Sequence, residues 1–445
     1  MPFDFSTVDT GSTAWVLASA ALVLLMTPGL AFFYGGMVRA KSVLAMLMQN
    51  FFCMGIVAVL WVIVGYSLAF GGQNGFIGGF HFVGLANMTD MVPGYTDSVA
   101  QVIPPLAFVA FQMTFAIITP ALFTGSTADR WKFGAFVTFV TLWAVLVYAP
   151  VAHWVFSPEG WLFKRGAQDF AGGTVVHINA GIAGLALALV LGKRKGWPTS
   201  RFRPHNLPFV MLGAGLLWFG WFGFNAGSWL GTGNSAAGVP VAAYAWVNTC
   251  VAASAALLAW IGTEKLRDGF ATTLGAASGV VAGLVAITPA AGYVQPMGAI
   301  AIGLIAGGCC ALVVPLKEKL GYDDSLDVVG VHLVGGVLGS LLVGWFGTSK
   351  INGADGVFYG GGFSLLGKQA EAVGAVLVYS FVATLIIAKV VDLVIGMRVT
   401  EEQEQEGLDT ALHSESGYEF GAGLGTGTPR PPLTTPTGSR HEVNA

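Results

Sequence analysis

The sequence predicts an all-α polytopic membrane protein with eleven transmembrane helices, arranged as a five-plus-five inverted repeat and a final helix. Hydrophobic residues make up 54% of the 445 residues and charged residues only 10%, whereas soluble domains carry about 25% charged residues. Apolar segments of the length that a bilayer requires, roughly 20 residues, recur along the chain. The motif His-x3-Gly-x2-Gly also occurs twice, beginning at His177 and His332, which indicates an internal repeat.

Eleven apolar segments separated by polar turns are the predicted spans. They are expected at 13–34, 43–70, 99–123, 133–155, 171–192, 207–227, 239–262, 270–287, 295–315, 326–347 and 369–397. An odd number of crossings places the two termini on opposite sides. The first span follows MPFDFSTVDTGSTAW, which has no basic residue, so we expect it to remain in the protein and not to be removed as a signal peptide.

Basic residues are distributed unevenly between the two sets of loops. The loops after spans 1, 3, 5, 7 and 9, with the start of the tail, contain fourteen lysines and arginines, and the opposite loops contain four: Lys164, Arg165, Lys350 and Lys368. Because an excess of basic residues marks cytoplasmic loops, the N-terminus is predicted outside the cell membrane and the C-terminus in the cytoplasm. Spans 1–5 and 6–10 then have opposite topology, as in many transporters built from inverted repeats.

The two repeated histidines are the candidate functional residues. His177 lies eight residues after Asp169, which places it about 12 Å along a helix that enters a hydrocarbon core about 30 Å thick. Ionisable groups at such depth usually face the protein interior or a transport pathway. A single buried histidine is more often structural, but a match between two repeats, which meet near the membrane midplane, favours a pathway lined by both His177 and His332.

Other polar residues in the apolar segments have simpler interpretations. The four cysteines, Cys53, Cys250, Cys309 and Cys310, form no metal-binding motif and are interpreted as reduced packing residues. Asp169 directly precedes a predicted helix, where aspartate commonly caps the backbone, so a structural role is favoured over direct ligand binding. We predict no metal site, no cofactor and no enzymatic activity.

The composition changes after the last span. Residues 1–397 are the predicted transmembrane domain, 398–424 form an acidic and polar tail that we expect to have a regulatory role, and 425–445 are rich in glycine, proline and threonine. Such a composition cannot bury enough apolar surface to fold. The last segment is therefore predicted to be disordered.

The chain resembles the ammonium transporter, methylammonium permease and Rhesus family in motifs along most of its length. The matching stretches are DFAGGTVVHINAGIAGLALALVLGKRKG, AFFYGGMVR, FGWFGFNAGS, ITPAAGYV, DVVGVHLVGG and EEQEQEGLD. The resemblance implies a homotrimer in the lipid bilayer, with one pore per subunit that conducts ammonium or methylammonium inward. It also implies that the tail receives a PII-type signalling protein in the cytoplasm; no nucleic-acid partner is expected.

The resemblance also implies roles for individual residues. His177 and His332 match the paired pore histidines, and Phe115 and Phe224 match a stacked phenylalanine gate. Phe111 and Ser228 match the outer recruitment site, Asp169 lies beside it, and Phe156 occupies a vestibule position of the same site. Phe156 departs from the family pattern, because many bacterial relatives have a tryptophan there; phenylalanine keeps the aromatic face but lacks the indole N–H.

These residue types suit the selection of ammonium over potassium. An apolar pore imposes a desolvation penalty on any ion, and ammonium, unlike potassium, avoids it by losing a proton. Aromatic faces attract the cation at the entrance, a serine hydroxyl accepts one of its N–H groups, and each neutral imidazole offers one donor and one acceptor. The sequence leaves open whether the net transported species is NH3 or NH4+.

Two other functions are compatible with parts of the sequence. Haem held between His177 and His332 would make the chain a membrane redox protein, although no basic cluster for the propionates is evident. An ammonium sensor would signal through the acidic tail while little ammonium crosses. A cation-coupled transporter is disfavoured because the spans contain almost no other charge to hold a cation.

Overall fold

The structure, a computed structural model, describes residues 2–72, 74–95, 102–199 and 202–418. Within these ranges the chain is helical and contains no β-strand. Ten helices are long and apolar enough to cross a bilayer, by length and composition, and a shorter apolar helix lies between the seventh and the eighth of these. They are α1 Thr10–Met37, α2 Ala40–Phe70, α3 Pro105–Thr127, α4 Phe133–Arg165, α5 Gly173–Leu191, α6 Leu207–Trp229, α7 Val241–Asp268, α8 Thr273–Ile287, α9 Pro296–Val313, α10 Val329–Phe346 and α11 Ser364–Ile395.

Each of the eleven predicted segments coincides with a helix. The largest difference is at the end of α4, which was expected at 155: its helix continues to Phe156, and after a break the short helix Trp161–Arg165 follows. The end of α7 was expected at 262, but the helix continues to Asp268. Its last turn contains Lys265 and Arg267, whose charges favour a helix C-terminus although they end the apolar pattern. The predicted start of the third span, at residue 99, lies outside the described residues. So do residues 419–424 of the predicted tail and the predicted disordered segment 425–445.

The helices form two halves of five, α1–α5 and α6–α10, followed by α11. Because each half has an odd number of helices, equivalent helices of the two halves run in opposite directions. The halves are joined by extensive packing of α1 on α6, while α11 packs against α5 and α10. The predicted fold class is therefore confirmed.

The segment after α11 packs on the loops that follow α1, α3 and α5, and we call this side of the molecule the tail face. The backbone N–H of Lys132 donates to the Met397 carbonyl at 2.9 Å. The Asp409 carboxylate accepts from the backbone N–H groups of Leu44 and Ala45, at 3.1 and 2.8 Å, and so caps a helix N-terminus. The short helices of the tail are Glu401–Glu406 and Leu408–His413. Which side of the membrane the tail face occupies stays a prediction.

A buried group of charges holds the loops of the tail face together. Arg194 donates to both carboxylate oxygens of Asp323, at 2.9 and 2.8 Å, and lies 3.5 Å from Asp129, which also contacts Arg39 at 3.2 Å. Arg130 donates to the Asp323 carbonyl at 2.6 Å. Burial by itself would raise the pKa of the Asp323 carboxyl, but the hydrogen bonds and charge of Arg194, with the charge of Arg130, lower that pKa below its usual value.

The Asp323→Asn substitution is expected to destabilise the protein at neutral pH by about 3–5 kcal/mol, because it leaves buried arginine charge without its partner. A carboxyl with a lowered folded-state pKa contributes stability above its unfolded pKa of about 4 and loses that contribution as the pH falls through the folded pKa. The difference in thermal unfolding midpoint between wild type and Asp323→Asn should therefore shrink below about pH 4. Unfolding of detergent-solubilised protein across pH 3–7 measures this.

Asp268→Asn provides a matched control for this prediction. Asp268 also accepts two hydrogen bonds from one arginine, Arg267, at 2.8 and 2.6 Å, but the pair is exposed to solvent, where ion pairs contribute little. Its replacement should leave the unfolding midpoint nearly unchanged at every pH. Equal effects of the two substitutions would contradict the role given to the buried cluster.

Candidate functional site

Both repeated histidines lie where a span begins with a wide helical turn. His177 is in the π-helical turn Gly173–Ile178 at the start of α5, and His332 is in the π-helical turn Val329–Leu333 at the start of α10. Such turns interrupt the regular hydrogen bonding of a helix and are frequent at functional sites. The two halves therefore place their histidines in equivalent local structures.

Asp169 supports the turn that carries His177. Its carboxylate accepts from the backbone N–H groups of Gly172, Gly173 and Thr174 at 2.8, 2.6 and 2.8 Å, and also from the Thr174 hydroxyl. These N–H groups have no partner within the helix. Asp169 also lines the cavity described below, so the same carboxylate has a capping role and a position at the candidate site.

Asp324 has the equivalent position in the second half, and the sequence analysis did not identify it. It lies eight residues before His332, as Asp169 lies eight residues before His177. Its carboxylate accepts from the backbone N–H of Val329 at 2.7 Å and from the Ser126 hydroxyl at 2.9 Å. The repeated Asp-x7-His spacing was the signal that would have found it.

The glycines of the repeated motif allow α5 and α10 to cross closely. A Cβ atom on Gly181, four residues after His177, would lie 2.5 Å from the backbone nitrogen of Leu333. A Cβ atom on Gly336, four residues after His332, would lie 3.1 Å from the Cβ of His177. Any side chain at Gly181 would separate the two helices, and the two imidazoles with them.

The two imidazoles are buried and face each other. The Nδ1 atoms of His177 and His332 are 3.4 Å apart, with ring centroids 5.4 Å apart and planes inclined by 24°. His177 also lies parallel to the Trp221 indole, with centroids 5.4 Å apart and planes inclined by 21°. The structure thus brings together the two predicted pathway residues.

The Thr288 hydroxyl determines where the protons of a neutral histidine pair lie. It donates to the Leu284 carbonyl at 2.7 Å and accepts from the Trp221 indole N–H at 2.9 Å. Its remaining lone pair faces Nε2 of His177 at 3.3 Å, so His177 donates through Nε2 and accepts through Nδ1. His332 then donates through Nδ1, and its Nε2 is left as an acceptor.

Thr288 and Trp221 were not identified as site residues from the sequence. Both lie within motifs that carry the family resemblance, ITPAAGYV and FGWFGFNAGS. Membership of those motifs was the signal, but only the tertiary structure shows that both side chains contact His177.

An aromatic pair lies between the histidines and the side opposite the tail face. The rings of Phe115 and Phe224 have centroids 4.3 Å apart and planes inclined by 39°. Phe224 is also 6.0 Å from the His177 ring, with planes inclined by 21°. Both phenylalanines are fully buried, so they separate the histidines from the cavity beyond.

That cavity, which we call the vestibule, has a volume of about 440 Å³ and lies opposite the tail face. Among the predicted site residues, Phe115, Phe156, Ser228 and Asp169 line it. The Ser228 hydroxyl donates to the Phe224 carbonyl at 2.7 Å, which leaves its oxygen lone pairs available to accept. The sequence analysis missed the following lining residues: Tyr95, Gln112, Phe170, Trp229, Tyr293 and Asn352.

Phe111 has a different position from the other predicted recruitment residues. It is fully buried and contacts Phe115 edge to face, with centroids 4.9 Å apart, but it does not line the vestibule. It supports the aromatic pair from behind. Direct contact between Phe111 and a ligand stays a prediction.

Two small cavities continue the path from the aromatic pair toward the tail face. The first is lined by Phe224, His177 and His332 and has a volume of about 10 Å³. The second, also about 10 Å³, is lined by His332 and by Asp327 near the tail face. Each is about the size that holds a single water molecule, and apolar side chains form most of their walls.

The histidine pair does not fit haem. Bis-histidine haem ligation would require a porphyrin ring between the two imidazoles. Here the nearest ring nitrogens are 3.4 Å apart, and the adjoining cavities hold about 10 Å³ each. The space between and beside the two rings is therefore too small for a porphyrin.

Comparison with known proteins identifies the family. The model of the Ammonium Transporter Family matches residues 14–418. An ammonium transporter of Mycobacterium tuberculosis is 54% identical over 462 aligned positions, which cover 98% of this chain and 95% of that protein. An ammonium transporter of Bacillus subtilis is 49% identical, covering 93% of this chain and 99% of that protein.

Solved structures show the same fold. The crystal structure of Candida albicans Mep2 has a TM-score of 0.82 at 32% identity, covering 90% of this chain and 89% of that one. A protein described as a sensor Amt protein has a TM-score of 0.82 at 30% identity, covering 90% of this chain and 98% of that one. The family match, the relatives and the shared fold lead to one conclusion: the chain is a membrane protein that belongs to the ammonium transporter family.

Proposed function

We propose that this protein takes up ammonium across the cell membrane by binding NH4+ in the vestibule, removing its proton at the aromatic pair and passing NH3 along the histidine pair. The observation that carries the proposal is the order of the cavities. A vestibule of about 440 Å³ is followed by a closed pair of phenylalanines and then by narrow, mostly apolar spaces beside His177 and His332.

The vestibule is suited to attract a cation. The aromatic faces of Phe115 and Phe156 line it, and a cation over such a face gains about 0.5–2 kcal/mol. The Ser228 oxygen accepts one N–H of ammonium, since the Ser228 proton is directed to the Phe224 carbonyl. Asp169 adds negative charge at the rim while its oxygens remain bound to the helix start.

The aromatic pair imposes the selectivity. A solute that passes Phe115 and Phe224 loses its water, because the spaces beyond hold about one small molecule each. An ion cannot recover that desolvation cost among apolar walls. Ammonium escapes the penalty by giving its proton to water in the open vestibule before it passes the rings, whereas potassium retains its charge.

Beyond the aromatic pair, His332 presents an acceptor to ammonia. With the proton arrangement that Thr288 fixes, Nε2 of His332 accepts one N–H of NH3 while Nδ1 remains bound to His177. The pair offers a polar edge in an apolar conduit without carrying a charge. A separate proton relay through the same pair would make transport electrogenic.

Electrophysiology on solid-supported membranes tests this proposal. Proteoliposomes that contain the purified protein are exposed to pulses of ammonium, methylammonium and potassium, and internal pH is recorded in parallel. We expect a response to ammonium and methylammonium, and none to potassium. A potassium response equal to that of ammonium would refute the mechanism, and the current relative to the pH change shows whether NH3 or NH4+ moves.

Ser228→Ala is expected to weaken the apparent affinity for methylammonium about fivefold, since one hydrogen bond to a cation is lost, worth about 1 kcal/mol on the scale of ordinary hydrogen bonds. The maximal rate should change little. Concentration-dependent uptake into proteoliposomes measures both quantities. Thr232→Ala is a suitable control, because this nearby hydroxyl contacts Ser12 and does not line the vestibule; a loss of rate with unchanged affinity in Ser228→Ala would argue against the recruitment role.

A sensing function is the second candidate, supported by the docked tail and by the similarity to a sensor Amt protein. Glu404 accepts from the backbone of Lys195 at 2.7 Å and from Arg398 at 2.8 Å. The hydrogen bond between Glu404 and Lys195 links the tail to the loop that follows α5. Methylammonium uptake that persists after removal of residues 400–445, which include Glu404, would make sensing secondary. We also propose, from the family resemblance, the homotrimer, the cytoplasmic position of the tail and a PII-type partner.

A further inference from the structure

The first turns of α11 bury a glutamine side chain whose hydrogen-bonding groups are engaged. Gln369 is 1% exposed. Its Oε1 accepts from the backbone N–H of Gln168 at 2.7 Å, and its Nε2 donates to the Gln168 carbonyl at 2.7 Å and to the Ser340 carbonyl at 2.9 Å. The opposite orientation would set the NH2 group against the N–H of Gln168, so these contacts determine which amide atom is the oxygen. Both amide hydrogens and one lone pair of Oε1 are therefore used.

The backbone that this amide holds belongs to the segment that leads into α5. Residues 166–172, which we call the entry segment, connect the end of α4 to the start of α5 and form neither helix nor strand. Backbone groups in such a segment need partners from elsewhere. Gln168 finds them on α11, and the Phe170 N–H donates to the Pro289 carbonyl at 3.1 Å. Asp169 lies between these two anchors.

The glutamine is itself held in a fixed position. A Cβ atom on Gly344 of α10 would lie 2.6 Å from the Cα of Leu366 on α11, so the two helices touch about one turn before Gln369. The carbonyl that Gln369 contacts on α10 belongs to Ser340, about one turn before this close approach. One side chain therefore joins three elements: α11, α10 of the second half and the entry segment of the first half.

The second half anchors the equivalent residue in a similar way. Asp323 directly precedes Asp324, as Gln168 directly precedes Asp169. The Asp323 carbonyl accepts from the fully buried guanidinium of Arg130 at 2.6 Å. In both halves, a buried side chain from another element thus holds the carbonyl just before the aspartate that caps a histidine-bearing helix. This recurrence indicates that the position of that carbonyl matters for the aspartate, beyond general packing.

We propose that Gln369 is a positioning residue for ammonium recruitment: it fixes the backbone at Gln168 and so holds the Asp169 carboxylate at the rim of the vestibule. This role rests on the proposed function, since it concerns the binding of a cation. Asp169 is the one charged residue among the described residues that line the vestibule, so a shift of its carboxylate changes the attraction for a cation there. Gln369 lines neither the vestibule nor the cavities beside the histidines, and it acts through Gln168.

Gln369→Leu removes the three hydrogen bonds and keeps a side chain of similar size. We expect the apparent affinity of the full-length protein for methylammonium to fall about fivefold, the effect of a lost hydrogen bond. The maximal rate should change little, because the contacts between the two histidines are retained. Concentration-dependent uptake into proteoliposomes measures both quantities. Gln49→Leu is the control, because Gln49 is also buried but does not line the vestibule; equal effects of the two substitutions, or a loss of rate with unchanged affinity, would overturn the proposal.

Gln369→Glu tests the pairing with Gln168 within one protein. The ionised carboxyl has no donor for the two carbonyls, whereas the protonated carboxyl offers one donor and one acceptor and can pair with Gln168 again. Because burial of an unpaired charge is costly, lowering the pH favours the protonated form. Relative to wild type at the same pH, we expect affinity weakened about fivefold at pH 8 and restored toward pH 5, with no such recovery in Gln369→Leu. The same deficit at both pH values in Gln369→Glu would contradict the proposal.

Amide hydrogen exchange, measured by mass spectrometry, separates this role from the proposed function because it requires no transport. In Gln369→Leu the amides of 168–175 should exchange faster than in wild type, since Asp169 holds N–H groups of this stretch and local opening controls exchange. The repeat-related amides of 323–332 should be unchanged. If wild-type protein carries no methylammonium, the proposed function fails, and the exchange result still decides whether Gln369 holds the entry segment. Unchanged exchange at 168–175, or equally faster exchange in both stretches, would refute the positioning role.

Discussion

Replacement of His177 by glutamate is expected to turn a conduit for a neutral molecule into a pathway for cations. The carboxylate would be buried between Trp221, Phe224 and His332, where its charge is costly unless a cation compensates it. The desolvation barrier that excludes potassium would then fall. We expect potassium currents at least about tenfold above those of wild type, equivalent to a barrier lowered by about 1.4 kcal/mol, and a reduced ammonium-to-potassium ratio.

His177→Gln is the matched control, because glutamine has the shape of glutamate without the charge. It should slow ammonium transport, since the contact with Thr288 and His332 changes, but it should not admit potassium. The measurement is the solid-supported membrane recording with ammonium and potassium pulses described above. Potassium exclusion that survives in His177→Glu, or that is lost equally in His177→Gln, would show that selectivity does not depend on charge at this position.

Asp169→Ala is expected to abolish measurable uptake and to destabilise the protein. The change leaves the backbone N–H groups of Gly172, Gly173 and Thr174 without their acceptor, and each unsatisfied buried donor costs about 1–3 kcal/mol. The π-helical turn that positions His177 would no longer be held at its start. We expect uptake of methylammonium to fall at least about a hundredfold, since a transition barrier raised by about 2.7 kcal/mol suffices.

Measuring both the thermal unfolding midpoint and the uptake rate of the variants distinguishes a capping role of Asp169 from direct ligand binding. If Asp169 acts through the helix start, the unfolding midpoint and the uptake rate fall together, and ammonium does not restore the midpoint. If it binds the cation directly, Asp169→Asn weakens apparent affinity while the midpoint stays unchanged, which would contradict the structural role. Asp324→Ala serves as the repeat-related comparison, because Asp324 caps α10 in the same way but does not line the vestibule.

The number of helices and their arrangement in two halves could be predicted from local sequence. The eleven helices follow from the length of the apolar segments, and the two-half arrangement follows from their odd number per half and from the repeated His-x3-Gly-x2-Gly motif. These features follow from the free-energy cost of exposing backbone polar groups and charges to hydrocarbon. That cost applies to each segment independently of its neighbours, so it can be evaluated from the sequence of the segment. The pairing of His177 with His332 was also predicted, because the repeated motif shows that the two histidines occupy equivalent positions in the two halves. This equivalence can be read from the sequence before any contact is known.

The contacts of individual side chains at the site could be determined only from the tertiary structure. Thr288 and Trp221 lie in motifs of the family resemblance, and Asp324 lies in a repeated Asp-x7-His spacing. Their roles become visible only when helix crossing places them against a histidine or a helix start. Phe111 was predicted in the recruitment site with Ser228; its ring lies near Gly227 and contacts Phe115 edge to face, but only the packing of α3 decides that it is buried and does not line the vestibule. Membrane insertion is decided segment by segment, whereas the positions of protons, cavities and contacts depend on distances of a few ångströms between segments remote in sequence.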